Sequence, residues 1–145
     1  MTRGETLKMW KLFALLSAVF AALTSILAKL GMKDVDSNLA TALRTGVVLI
    51  LAWGIVLANG SFKGLGSLTW QNWLFIALSG LATGLSWIFY FKAIQMGDVS
   101  IVAPIDKCSV VLTMILSFII LGEKVTLKTL AGGLLITAGT LVLIL

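Results

Sequence analysis

The stretch Gln95–Lys128, QMGDVSIVAPIDKCSVVLTMILSFIILGEKVTLK, carries the adjacent charges Asp106 and Lys107 inside an otherwise apolar run. A helix over residues 99–121 is about 35 Å long at about 1.5 Å per residue, enough to cross a hydrocarbon core of about 30 Å with some tilt. The sequence therefore predicts a transmembrane helix with an ionisable pair inside it and with Pro104 one turn from its start.

Four polar side chains share one face of this predicted helix: Asp106, Ser109, Thr113 and Ser117. At 100° per residue they span about 80°. A charge at the bilayer centre costs about 2.5 to 3.5 kcal/mol on insertion scales, so such a residue usually faces a bundle interior or a water-filled cavity. Other interpretations stay open: Asp106 lies at the headgroup level or simply neutralises Lys107, and the hydroxyls bond to carbonyls of their own helix.

The composition of the chain indicates an integral membrane protein. Of its 145 residues, 59% are hydrophobic and 12% are charged, and the mean hydropathy is +1.09. The net charge of +5 comes from basic residues scattered singly beside apolar segments, which is typical of topology signals and lipid headgroup contacts and not of nucleic-acid binding. One cysteine and no histidine exclude an intrachain disulfide and leave no metal or haem ligand set, so no cofactor is expected.

Apolar runs of spanning length indicate one all-α domain over residues 1–145, a polytopic bundle of five transmembrane helices. The predicted spans are 12–30, 39–58, 73–94, 99–121 and 127–145. An odd number of spans places the two termini on opposite faces of the membrane. The turn 95–98 is so short that the third and fourth helices must run antiparallel as neighbours.

The third predicted span carries a second polar stripe. At 100° per residue its members, which fall within about 60°, are Ser79, Thr83, Ser86 and Tyr90. Because the third and fourth helices are antiparallel neighbours, we expect the two stripes to face one space. The alternative that these hydroxyls only bond backbone carbonyls stays open.

Several other residues have predicted structural or binding roles. Gly80 and Gly84 form a GxxxG pattern that permits close helix contact. Arg44 lies about a turn and a half inside the second span, where its stem can snorkel outward; cavity-facing and anion-contacting roles stay open. Glu123, in the turn before the last helix, is predicted to cap that helix.

Three motifs resemble the EamA-type domain of the drug/metabolite transporter superfamily: MGDVSIVAPIDK at 96–107, LGEKVT at 121–126 and TLAGGLLITAG at 129–139, which places Gly132 soon after the start of the final helix. The resemblance covers nearly the whole chain. It implies a five-helix unit that is half of a ten-helix inverted repeat, in which two such domains of opposite orientation enclose the substrate path. This sequence has one half.

The leading hypothesis is a transporter or exporter of a small metabolite or drug-like solute in the inner membrane of a bacterium or archaeon, which works by alternating access as an antiparallel homodimer in contact with membrane lipid. Asp106 is then a proton or cation site, and Lys107 is its partner or an anion contact. The hydrogen-bonding groups of the cavity are Thr83, Ser86, Tyr90, Ser109 and Thr113. A non-transporting membrane subunit is the alternative. No enzyme is expected, because acid/base work needs paired groups, and Asp106 and Glu123 lie at opposite ends of one helix.

The numbers of basic residues on the two faces of the membrane are nearly equal, when each residue is assigned to a face by five alternating spans. On the N-terminal side are six basic residues: Arg3, Lys8, Lys11, Lys63, Lys124 and Lys128. Toward the other side are Lys29, Lys33, Arg44, Lys92 and Lys107, which are five if the embedded Arg44 and Lys107 are counted and three if they are not. Such a balance favours insertion in both orientations, which would let the chain meet an inverted copy of itself. The alternative is a weak bias with the N-terminus in the cytoplasm, giving parallel dimers or a monomer.

Overall fold

The computed structural model describes residues 3–145, with side chains from residue 9 onward, and the regular structure there is entirely helical. Its elements are α1 (Arg3–Gly31), α2 (Ser37–Ala58), a 3₁₀ helix (Ser61–Ser67), α3 (Trp70–Met96), α4 (Val99–Asp106), α5 (Cys108–Ile120) and α6 (Leu127–Ile144). The side chains of Arg3 and Lys8, which were counted above as topology signals, lie outside the described part.

Within residues 3–145, five helical segments are long and apolar enough to cross a membrane. They are Met9–Gly31 within α1, Ser37–Ala58, Trp70–Met96, Val99–Ile120 and Leu127–Ile144. The fourth segment, Val99–Ile120, consists of α4 and α5 together. The predicted all-α bundle of five spans is confirmed.

The fourth span is broken at Lys107, a feature that hydropathy did not show. Pro104 lies inside α4 and has no backbone N–H, so the helix loses one of its regular hydrogen bonds there. At the break, the Lys107 N–H donates to the Pro104 carbonyl at 3.0 Å and the Val110 N–H donates to the Lys107 carbonyl at 3.0 Å. These tighter three-residue turns separate α4 from α5 while the chain continues across the membrane.

The start of α6 is capped by hydroxyls, so the prediction that Glu123 caps it is wrong. Thr126 Oγ1 accepts from the Thr129 N–H at 3.1 Å, and Thr129 Oγ1 accepts from the Thr126 N–H at 3.0 Å. This reciprocal capping box leaves no role for a carboxylate. Glu123 follows Gly122, whose φ of 66° turns the chain, and its own N–H points back to the Ser117 carbonyl at 3.3 Å. Glu123 therefore belongs to the end of α5.

The chain folds into two compact units, each described by itself. One comprises the chain up to Leu27 together with Met96–Leu145, and the other is Ala28–Gln95.

In the first unit α6 packs against α4 and α5. Gly133 is buried, and a Cβ there would lie 3.2 Å from Met114 Cε, so its small size allows α5 and α6 to approach closely. Thr140 is 4% exposed, and its Oγ1 donates to the Ile136 carbonyl at 2.9 Å and lies 3.5 Å from the Pro104 carbonyl. The neighbouring Gly132 faces open space, so it is Gly133 that makes the close contact.

The second unit has a small core near the end of α3. Phe91 and Ile94 are fully buried and Met32 is almost so. The hydroxyl residues Ser37 and Thr41 of α2 are buried with them. Since polar side chains make up part of this core, their hydrogen bonds matter to its stability.

Two long polar side chains tie the α1–α2 loop region to the C-terminal end of α3. Lys29 Nζ donates to the Ile94 carbonyl at 2.7 Å, and Gln95 Nε2 donates to the Val35 carbonyl at 2.6 Å and the Met32 carbonyl at 3.1 Å. The last carbonyls of a helix lack partners within it and carry partial negative charge, so the Lys29 ammonium both bonds and neutralises them.

The capping box predicts unequal effects on stability from two nearby substitutions. Thr126→Ala removes a side-chain cap and should lower the free energy of unfolding by about 1 kcal/mol. Glu123→Gln, which leaves the cap intact, should lower it by less than about 0.3 kcal/mol, within the range of ordinary surface substitutions. Denaturation of both variants in detergent, followed by circular dichroism, checks this. An equal loss in Glu123→Gln would restore the carboxylate as the cap.

Candidate solute-binding site

A groove of about 400 Å³ runs along α5 in the first unit. The side chains that define it are Ser109, Thr113, Met114, Ser117, Leu121 and Glu123. The three hydroxyl residues repeat every four positions, so about one hydroxyl per helical turn faces the groove. The predicted polar stripe of the fourth span is thus present on α5, with Glu123 as an additional member that the sequence analysis assigned elsewhere.

The groove combines hydroxyls with apolar walls, which suits a small solute of mixed polarity. The Ser117 hydroxyl donates to the Met114 carbonyl at 2.9 Å, so it can only accept a hydrogen bond from a solute. Ser109 and Thr113 are exposed within the chain and line the groove beside Val110. Glu123, the one charged side chain of this groove, lies where α5 ends.

Asp106 is separated from this groove and paired with its neighbour. Its Oδ2 lies 3.2 Å from Lys107 Nζ, and the two side chains are 32% and 55% exposed, respectively. The break at Lys107 explains the separation, because the 100° phase that aligned Asp106 with Ser109 holds only along a continuous helix.

The predicted stripe of α3 lies in the second unit, and one of its hydroxyl groups bonds to the backbone of the helix. The Thr83 hydroxyl donates to the Ser79 carbonyl at 2.9 Å. Ser86 is exposed, and the half-buried Tyr90 packs edge-to-face on Phe91 with ring centres 5.3 Å apart. Bonding back to the helix, the alternative left open above, therefore applies to Thr83.

The GxxxG pair of α3 makes no close contact within the described chain. A Cβ built at Gly80 or Gly84 would meet nothing within 4 Å. Its predicted role in helix packing therefore stays a prediction.

Arg44 reaches from α2 to two aromatic rings of α3. Its guanidinium carbon lies 3.9 Å from the centre of the Phe91 ring and 5.1 Å from that of Trp87. Arg44 Nη1 is buried and has no hydrogen-bond partner. Whether the Arg44 stem snorkels toward the membrane surface stays a prediction. Trp87 and Phe91 were not singled out in the sequence, although their spacing of four residues on one helix face was a signal that they act together.

The predicted site residues therefore fall into separate groups. Ser109 and Thr113 lie in the α5 groove, and Asp106 and Lys107 form their own pair. Arg44 lies with Trp87 and Phe91 in the second unit.

Comparison with known proteins agrees with the motifs described above. Residues 8–145 match the profile of the EamA-like transporter family. An uncharacterized transporter in the cobO 3′ region of Sinorhizobium sp. is 46% identical over 134 residues, which cover 92% of this chain and 95% of that protein. No solved structure matches the chain. The resemblance to EamA-type domains is confirmed.

The α5 groove predicts a difference in thiol reactivity between two adjacent positions. In a Cys108→Ser background, Thr113→Cys should react with a water-soluble maleimide at least about tenfold faster than Leu112→Cys, because only an ionised thiol reacts and ionisation requires water. Leu112 is a matched control, since it is 62% exposed within the chain but lies outside the groove. Measurement in liposomes by mass shift checks this. Equal, slow labelling of both would mean that the groove faces lipid.

Proposed function

This chain belongs to the EamA-like transporter family and is a multi-pass membrane protein, and we propose that it carries a small metabolite or drug-like solute by alternating access as an antiparallel homodimer. The observation that carries this proposal is the α5 groove, where hydroxyls line a space along the spanning segment Val99–Ile120 and the Glu123 carboxylate lies just past the end of that segment. A structural helix has no need of such a lining, since apolar packing would be more stable in lipid.

The proposed second copy is supported by how little of each membrane-spanning helix is buried within the chain. Of the residues in the most apolar window of each span, between 0% and 11% are buried. Lipid can cover apolar side chains, but it cannot satisfy the groove hydroxyls. A second five-helix copy would supply the other wall of the groove and complete the ten helices that the family resemblance implies.

An antiparallel arrangement suits both the charge balance and the mechanism. Near equality of basic residues on the two sides permits both insertions. Secondary carriers commonly place the substrate between two inverted repeats, which rock against each other to expose it to one side at a time. Two inverted copies of one chain would give the same geometry.

The Asp106–Lys107 pair is the candidate for coupling transport to protons. A proton taken up by Asp106 removes its charge and releases Lys107, so the net charge within the span changes by one. The 3.2 Å ion pair and the partial exposure of both side chains support this role. The groove residues Ser109 and Thr113 then bind the solute.

Reporter fusions at the C-terminus test the antiparallel arrangement. Dual insertion predicts comparable specific activity, within about twofold, from a periplasmic and a cytoplasmic reporter, since neither orientation is favoured by the charge balance. Removing the positive charges of Lys33 and Lys92 together should favour one orientation, in which the more basic N-terminal side lies in the cytoplasm. A single orientation, together with cross-links that pair like ends, would contradict the antiparallel dimer.

Proteoliposomes with an internal pH dye test transport and coupling. Addition of a panel of amino acids, nucleosides, organic anions and organic cations should identify a solute whose entry moves protons. Asp106→Asn should reduce this solute-dependent proton movement at least about tenfold while binding persists, because the amide cannot titrate.

Asp98→Asn is the control for this measurement, since Asp98 lies in the turn before α4 and its side chain makes no cap hydrogen bond. Normal proton movement in Asp106→Asn would remove Asp106 from the mechanism. No transport of any solute by pure protein would favour a subunit role instead.

A further inference from the structure

We infer that Arg44, Trp87 and Phe91, here called the Arg44 cluster, bind the oxyanion of an organic anion, that is, its carboxylate or phosphate group. The inference rests on the proposed transport function and names the chemical class of the solute. It starts from the guanidinium between α2 and α3, whose charge lies against two aromatic rings while one of its nitrogens has no partner.

The unpartnered nitrogen is the first step. Arginine presents five N–H donors, and a buried donor without an acceptor costs roughly 1 to 3 kcal/mol, with more for a charged group. The rings of Phe91 and Trp87 attract the positive charge but offer no oxygen to Nη1. Ser37 Oγ, seven residues earlier on the same face of α2, is also buried without a partner. This face of α2 therefore lacks polar partners at two positions.

The second step is the missing counter-charge. Within the second unit, Ala28–Gln95, no acidic side chain forms an ion pair with the Arg44 guanidinium. Within the second unit the acids are Asp34 and Asp36. Asp36 Oδ1 is engaged by the N–H groups of Asn38 and Leu39 at 3.0 Å each. An anion for Arg44 must therefore come from outside this unit.

The third step is geometry. Phe91 is only 1% exposed, so its ring is fixed by the core and holds the guanidinium in one place. Arg44 as a whole residue is half-buried, and its Nη1 is buried without a partner. A planar guanidinium bonds a carboxylate or phosphate through two parallel N–H groups, and a pre-positioned one loses little entropy in doing so. The site therefore selects oxyanions over neutral or cationic groups.

Two sources can supply this oxyanion: a solute on its way through the membrane, or the phosphate of an anionic lipid. Arg44 lies seven residues after Ser37 at the start of α2, or about 10 Å along the helix. Both sources share the same chemistry at the guanidinium, and the test below separates them.

Binding to purified protein in detergent tests the inference without any transport, so its failure and that of the proposed function are distinguishable. The probes are benzoate, benzyl alcohol and benzylammonium, which keep one ring and change only the charge, with inorganic phosphate as a second oxyanion. Binding is followed by tryptophan fluorescence and by the shift in thermal unfolding. We expect benzoate to bind at least about tenfold more tightly than the other two ring compounds.

The variants separate charge from packing. Arg44→Met keeps an unbranched apolar stem and should weaken benzoate binding at least about tenfold, whereas Arg44→Lys keeps the charge without the fork and should fall between. Lys92→Met is the matched control, because it removes one positive charge from an exposed position next to Phe91 and should bind as the wild type does. If Arg44→Met folds poorly, Arg44→Lys still tests the planar guanidinium, and Trp87→Phe tests the aromatic ring beside it.

Three results would overturn the inference: no binding of benzoate or phosphate by the wild type, equal binding of benzoate and benzyl alcohol, or unchanged benzoate binding in Arg44→Met. A final arm compares nanodiscs of phosphatidylcholine with nanodiscs containing phosphatidylglycerol. Benzoate affinity equal in both supports a solute site. Arg44-dependent displacement of benzoate by phosphatidylglycerol would assign the oxyanion to the lipid headgroup and overturn the role in solute recognition.

Discussion

The interior of a bilayer offers no water to a polar group, so each charged or hydroxyl side chain on a spanning helix must find a partner in the protein or in a ligand. Most contacts described above obey this constraint. The Ser117 hydroxyl bonds to its own helix, and Asp106 and Lys107 neutralise each other. Arg44 satisfies it only in part, because Phe91 stabilises its charge while Nη1 lacks an acceptor. Its unmet requirement is therefore a physical reason to expect an external anion.

The five spans could be predicted because hydropathy is a local property of the sequence. The polar stripe on α5 could be predicted too, since Ser109, Thr113 and Ser117 lie on one unbroken helix where 100° per residue applies. Asp106 lies outside the groove because the chain turns at Lys107. Pro104 is visible in the sequence, but the residue at which the helix breaks depends on neighbouring turns that periodicity does not describe.

The cap of α6 and the position of Arg44 could not be predicted for different reasons. At the cap, both Glu123 and Thr126 are chemically able to accept from the first N–H groups, and only the backbone path after Gly122 decides between them. For Arg44, the sequence places the charge on α2 but not the helix that lies opposite. The register of α2 against α3, which brings Phe91 to it, is a tertiary property.

An antiparallel pair of identical chains would carry every polar group twice, whereas two domains of one long chain can diverge. The Asp106–Lys107 pair adds no net charge to either copy, since each is neutral by itself. Two copies of Arg44 would instead place two positive charges within the membrane, and each would need an oxyanion. In such an antiparallel pair, two-fold symmetry would make the two sites equivalent and place them at matching depths from opposite faces of the membrane. An anionic solute would then meet equal intrinsic affinity from either side, so the direction of transport would be set by the solute and proton gradients and not by the protein.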